Sequence, residues 1–140
     1  MTADVDLIEN VSRLALFADY DRDQLAAVLP LLQEESFGEG EWVVRRGDTE
    51  VGLRIIVGGE VGVVLDDEEL AVLKKGSFFG EISALLGEPA VADVVARSPL
   101  RCLFLEDAQV EPFLLEHPLV MLRMLQTEAR RLRTTDELRT

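Results

Sequence analysis

In the first part of the chain, apolar positions recur every three to four residues. In VDLIENVSRLALF, Val5, Ile8, Val11 and Leu14 or Ala15 fall at helical spacing with acidic and polar residues between them, which predicts one amphipathic helix. In DYDRDQLAAVLPLLQEESF, Asp21 precedes Gln24 by three positions, the reciprocal capping pattern, ahead of an apolar stripe of Leu25, Val28, Leu29 and Leu32. Pro30 lacks the amide that would continue the hydrogen-bond ladder, so this segment predicts two short helical pieces broken after Leu29. Together these N-terminal helices occupy about residues 4–34.

From Phe37 to Leu105 the helical period gives way to short β-rich runs: WVVRR, GLRIIV, EVGVVL, ELAVL, ADVVA and RCLFL. Their spacing of about ten residues, and connections too short for crossover helices, predict an antiparallel sandwich or barrel over about 36–105. Gly58-Gly59 and Asp66-Asp67-Glu68 are hairpin-type signals. Only EISALLG, after Phe79, is long enough for a helical turn or two inside this region. Helical spacing returns over about 107–136, in AQVEPFLLE and then PLVMLRMLQTEARRLRTTDEL, with Pro118 suited to a first turn. Leu119, Leu122, Leu125, Ala129 and Leu132 form a stripe on the last helix, beside Arg123, Arg130, Arg131 and Arg133. Two packings suit this stripe, back onto the barrel or against a second copy of the chain.

A chain of 140 residues with 48% hydrophobic residues, 5 Pro and 10 Gly fits one folded domain built on one hydrophobic core. The 14 Lys and Arg against 27 Asp and Glu give a formal net charge of -13, which repels phosphate backbones and anionic lipid headgroups and argues against direct nucleic-acid binding. The single Cys102 makes no internal disulfide, and neither a leader-like apolar segment nor a long uncharged run is present. A cytoplasmic protein without membrane insertion is the expectation.

Little in the chain points to catalysis. His117, the only histidine, precedes Pro118 at a helix start, a position for a cap or a surface contact. Cys102 lies in the strand pattern LRCLFL, where a buried cysteine is the ordinary outcome. The DDEE run at 66–69 lacks the spacing of a calcium loop. No metal and no obligatory cofactor is implied. The specific feature is FFGEISALLG: Gly80 permits a tight turn, the following amides can receive an anion, and Glu81 can accept hydrogen bonds from a hydroxyl or an amine.

These segments, taken in order, resemble the cyclic nucleotide-binding domain family. The resemblance covers about residues 12–133: LALFADYDRDQLAAVLPLL, then GEWVVRRGDTEVGLRIIVGGEVGVV, then GSFFGEISALLGEP, then two helices. It implies a mainly β fold, a double-stranded β-helix jelly roll barrel flanked by N-terminal and C-terminal helices. It also implies a phosphate binding cassette, at Phe79, Gly80, Glu81, Ile82, Ser83, Ala90, Val91, Ala92 and Asp93. Glu81 stands at the family's ribose contact, and Leu85 and Leu86 at positions that pack the cassette helix on the barrel.

The second half of the cassette departs from the family pattern. Ala90 stands where the phosphate-binding arginine is expected, and Asp93 where a threonine or serine is expected. A charge-assisted hydrogen bond to phosphate contributes about 1.5–3 kcal/mol, so its loss weakens a cyclic nucleotide by roughly ten- to a hundredfold or more. Restoring the charge would take Arg97, Arg54 or an arginine of the C-terminal helix. The resemblance therefore implies a non-catalytic regulatory or interaction domain without the usual high-affinity cAMP or cGMP site, acting through a small molecule, a homodimer formed by the C-terminal helix, or a separate effector protein. The alternative is a cyclic nucleotide sensor with altered phosphate contacts. An acidic pair of Glu81 and Asp93 facing one cavity would favour an amine or a hydroxyl-rich ligand.

Overall fold

The computed structural model describes residues 2–139, and the side chains of residues 6–134. Helix α1 (Thr2–Ser12) opens the chain, and Val5 of its expected stripe lies outside the described side chains. A 3₁₀ turn at Ala15–Phe17 leads to α2 (Arg22–Val28). The capping box forms: the Gln24 amide donates to Asp21 Oδ1 at 2.8 Å, and the Asp21 amide donates to Gln24 Oε1 at 2.9 Å. As Pro30 requires, the helix tightens after Val28 into a 3₁₀ turn, Leu29–Leu31.

Eight strands follow: β1 (Gln33–Phe37), β2 (Trp42–Val44), β3 (Leu53–Gly58), β4 (Glu60–Leu65), β5 (Glu68–Lys74), β6 (Phe78–Phe79), β7 (Asp93–Ala96) and β8 (Leu100–Leu105). They form two four-stranded antiparallel sheets, in the orders β1-β8-β3-β6 and β2-β7-β4-β5. Helix α3 (Glu81–Leu86) interrupts them between β6 and β7, and α4 (Asp107–Glu116) and α5 (Pro118–Arg139) complete the chain. This is the expected jelly roll with helices at both ends.

Three local expectations are corrected. The helical reading ran to about residue 34, but β1 begins at Gln33, since QEESF becomes a strand by pairing with β8 rather than by any apolar alternation. Its Glu34 pairs with Arg101 and its Glu35 with Arg54. Gly58-Gly59 is no hairpin: β3 and β4 lie in different sheets, and the glycines carry the chain between them. At Gly59 φ is +84° and a Cβ would overlap the Pro99 carbonyl oxygen. By contrast Asp66 and Asp67, at φ 52° and 64°, do make a two-residue hairpin between Leu65 and Glu68.

The buried residues also divide, where one core was expected. Ile56, Cys102, Val61, Val94 and Phe79 pack between the sheets. Leu53, Ile55, Val57, Leu103 and Leu105 point the other way, against Phe17, Leu25, Val110, Phe113 and Val120 of the helical segments. The sheet containing β3 and β8 is thus covered on both faces, and this explains why LRIIV and RCLFL read as nearly continuous apolar runs. Cys102 is fully buried, and burial pushes its thiol up to about 12, so it is no nucleophile at neutral pH. His117 caps α4, its amide donating to Phe113 O at 2.9 Å, and its Nδ1 lies 2.9 Å from Tyr20 Oη.

The last helix packs on a different face from the leucine stripe. Val120 and Met124 are buried, with Thr127 and Arg131 half-buried one and two turns on, whereas Leu119, Leu122, Leu125 and Leu132 are exposed. Both sets have three-to-four spacing, and the greater leucine content belongs to the solvent side.

Candidate functional site

The chain turns sharply at Gly80, where φ is +88° and a Cβ would overlap the Gly52 carbonyl oxygen. Only glycine fits that approach, and it starts α3 so that the helix lies across the end of the sheet pair. Gly87, at φ +67°, ends the helix, its amide donating to Ser83 O.

The following segment is held by its backbone. The Ala90 amide donates to Asp48 O at 2.9 Å, and the Gly47 amide donates to Ala90 O at 2.8 Å, so position 90 is stitched to the loop between β2 and β3. Between α3, this segment and the inner faces of the strands lies a cavity of about 290 Å³. Phe79, Gly80, Glu81, Ile82, Ser83, Ala90, Val91 and Ala92 line it, joined by Val44, Val63, Leu73 and Val94 from the strands and by Arg131 from α5.

Asp93 is not on that wall. Its neighbours in sequence, Ala92 just before β7 and Val94 on it, face the cavity, and its own Oδ1 accepts from the Arg46 amide at 2.7 Å. The expected acidic pair of Glu81 and Asp93 is therefore absent, and with it the electrostatic case for an amine ligand. Strand alternation turns Asp93 outward to close the β2–β3 loop.

Glu81 is 3% exposed. Arg131 reaches it from α5, its Nη1 lying 3.3 Å from Glu81 Oε1 and 3.0 Å from Glu128 Oε1. The other nitrogen, Nη2, donates to Ser77 Oγ and to Phe78 O, each at 2.9 Å, while the guanidinium carbon lies 4.6 Å from the Phe78 ring centroid. Glu81 Oε2 is buried without a hydrogen-bond partner. Burial, then the nearby Glu128 carboxyl, pushes the Glu81 pKa up to about 8 against the opposing pull of Arg131. Glu81 is therefore a neutral acid through most of the physiological range, and its carboxylate partner is Glu128 rather than Asp93.

Of the arginines considered for the missing charge, Arg54 is committed to Glu35 at 2.8 Å and Val51 O at 3.0 Å, with the Phe104 ring 4.5 Å away. Arg97 pairs with Glu69. Arg131 is the arginine that reaches the cavity wall. Sequence reading left its identity open and missed Glu128, although Val120, Met124, Thr127 and Arg131 recur at spacings of four, three and four and so mark a second stripe on α5.

A model of the cyclic nucleotide-binding domain matches residues 34–117. Over 95 residues the chain is 35% identical to a cGMP-dependent protein kinase of Plasmodium berghei, covering 68% of this chain and 11% of that one. The chain thus spans a small part of the curated relatives it matches. Its structure superposes on the catabolite activator protein of Thermus thermophilus with a TM-score of 0.75 and 26% identity, covering 87% of this chain and 60% of that one. It superposes equally on the regulatory subunit of a cAMP-independent protein kinase A from Trypanosoma brucei, TM-score 0.75, 25% identity, 90% of this chain and 47% of that one. Among the described residues no helix is long and apolar enough to cross a membrane.

Proposed function

The chain belongs to the cyclic nucleotide-binding domain family, and we propose that it is a non-catalytic regulatory domain whose cassette cavity takes a small molecule without the usual grip on a cyclic phosphate. The observation that carries this reading is the setting of Ala90. Position 90 is pinned by backbone hydrogen bonds, is 8% exposed and forms part of the cavity wall, yet it offers a methyl group where an arginine would bind phosphate. Most of the remaining wall is aliphatic, and its cation, Arg131, is engaged with Glu81, Glu128, Ser77 and Phe78. Such a cavity favours a largely apolar, neutral molecule over an anion. The Trypanosoma brucei structure, of the regulatory subunit of a kinase described as cAMP-independent, supports separating this fold from cAMP control.

A second reading, a cAMP or cGMP sensor, is favoured by one specific fact: the guanidinium of Arg131 stands at the wall and could replace the arginine absent at position 90. Calorimetric titration with cAMP and cGMP separates the readings. On the first, the wild type binds weakly and Ala90→Arg gains about ten- to a hundredfold. On the second, the wild type already binds at micromolar or tighter affinity and Arg131→Ala loses it.

Output would pass to a second copy of the chain or to a separate effector. Leu122, Leu125, Ala129 and Leu132 are exposed along α5 at spacings that suit a helix pair, and this supports a homodimer. Light scattering across a concentration series tests it, with a monomer at all concentrations as the contrary result. The charge of -13 keeps nucleic acid out of this scheme, and a cytoplasmic setting suits it.

A further inference from the structure

Helices α3, α4 and α5 enclose a second, larger groove of about 570 Å³ on the far side of α3 from the cassette cavity. Its floor holds Leu114 and Met124, both buried. Its sides are apolar side chains left in water: Ile82 52% exposed, Leu85 45%, Leu115 64% and Leu125 64%. A cluster of that kind on a small domain marks a contact surface, since exposed apolar groups gathered in one place gain from being covered. Its polar lining is acidic and includes no lysine, arginine or histidine: Glu111 is exposed, Glu128 also bonds Arg131, and Glu81 is a buried neutral acid, so Glu111 supplies the main negative charge open to a partner.

We propose that this groove docks a basic amphipathic helix of a partner protein. An apolar trough between helices receives the apolar stripe of another helix, and its acidic lining selects lysine or arginine beside that stripe. Met121 and Met124, two of the chain's three methionines, line the trough with flexible side chains that adjust to differing partner contours. The proposal rests on the reading of the chain as a regulatory domain with a separate effector, and it names the chemistry of that effector's contact segment. It also gives α3 a second role. Glu81 and Ile82 line both the cassette cavity and the groove, so α3 forms a wall of each.

The test uses the whole chain and three labelled synthetic peptides of about 18 residues, five helical turns. One has a leucine stripe on a lysine helix, one has the same composition scrambled, and one carries glutamate in place of lysine. Fluorescence anisotropy should show the first binding about tenfold or more tighter than the scrambled peptide, because only it buries a continuous apolar stripe. The glutamate peptide should not bind. Leu85→Gln and Glu111→Lys, both at exposed positions and checked for unchanged thermal unfolding, should each weaken the first peptide by about tenfold. Equal affinity for the scrambled peptide, no binding at all, or indifference to both substitutions overturns the proposal. So does a dimer that Leu85→Gln dissociates, since the groove is then filled by a second copy. No cavity ligand enters this experiment, so failure of the small-molecule reading leaves its outcome intact.

Discussion

Residues 80–87 and residues 88–94 meet at the same cavity but are held there by different means. The first stretch is fixed by residue identity: Gly80 and Gly87 bracket α3 at φ +88° and +67°, and Gly80 sits so close to the Gly52 carbonyl that no side chain fits. The second is fixed mainly by its main chain, through the Ala90 amide to Asp48 O and the Gly47 amide to Ala90 O. Almost any residue supplies an amide and a carbonyl. The side chain at 90 could therefore change from a phosphate ligand to a methyl group without disturbing the shape around it. Retained geometry in this fold is evidence for a cavity, and only the side chains projecting into it are evidence for a ligand.

The largest expected effect tests the first half of that contrast. Gly80→Ala places a Cβ onto the Gly52 carbonyl in a backbone conformation that side chains rarely adopt, at a cost of about 2–5 kcal/mol. Val91→Thr in the second half, at a site 77% exposed, should stay within about 0.5 kcal/mol. Urea unfolding of both variants gives the comparison, and a similar loss in the two would dissolve the distinction between a sterically fixed and a main-chain-fixed half.

A middle-sized effect concerns Glu81, the polar group the first half supplies. Its carboxyl stays protonated in the folded chain up to about pH 8, against an ordinary value of 4.5. Folding therefore takes up a proton between those values. The stability this contributes is complete below about pH 4.5 and is lost as pH rises through about 8, at no more than about 1.4 kcal/mol per pH unit for one proton. Glu81→Gln cannot ionise and should gain on the wild type steadily from pH 5 to about 8, and then level off, in paired unfolding curves. A difference that does not change with pH would mean that Glu81 is ionised in the folded state.

The outline of the fold was readable from hydrophobic period and turn chemistry, because those signals are local. Asp21 with Gln24 capped α2, Pro30 ended it, and Asp66-Asp67 made a hairpin. What escaped depended on partners distant in sequence. β1 is a strand because β8 lies beside it, and Gly58-Gly59 changes sheet because β3 finds β8 and β6 rather than β4. The site divided the same way. FFGE marked the place of the cavity wall, but Arg131 and Glu128 arrive there from a helix some fifty residues further on. Their stripe on α5 was overshadowed by a leucine-richer one.

The smallest expected effect belongs to Asp93 and sharpens the second half of the contrast. In the family pattern this position carries a hydroxyl beside the phosphate, and an ionised carboxylate there would repel one. The side chain instead accepts the Arg46 amide at 2.7 Å, on the side of β7 away from the cavity. Asp93→Ala should then cost about 0.5–1.5 kcal/mol, the net contribution of one such hydrogen bond at a partly exposed site. Introduced beside Ala90→Arg, it should leave the affinity for cAMP unchanged within about twofold, because a charge directed into water is screened from the site. Tenfold tighter binding on removal of Asp93 would show that its carboxylate reaches the ligand, and would restore to the second half of the cassette an electrostatic role that the present geometry gives to Glu81 and Glu128.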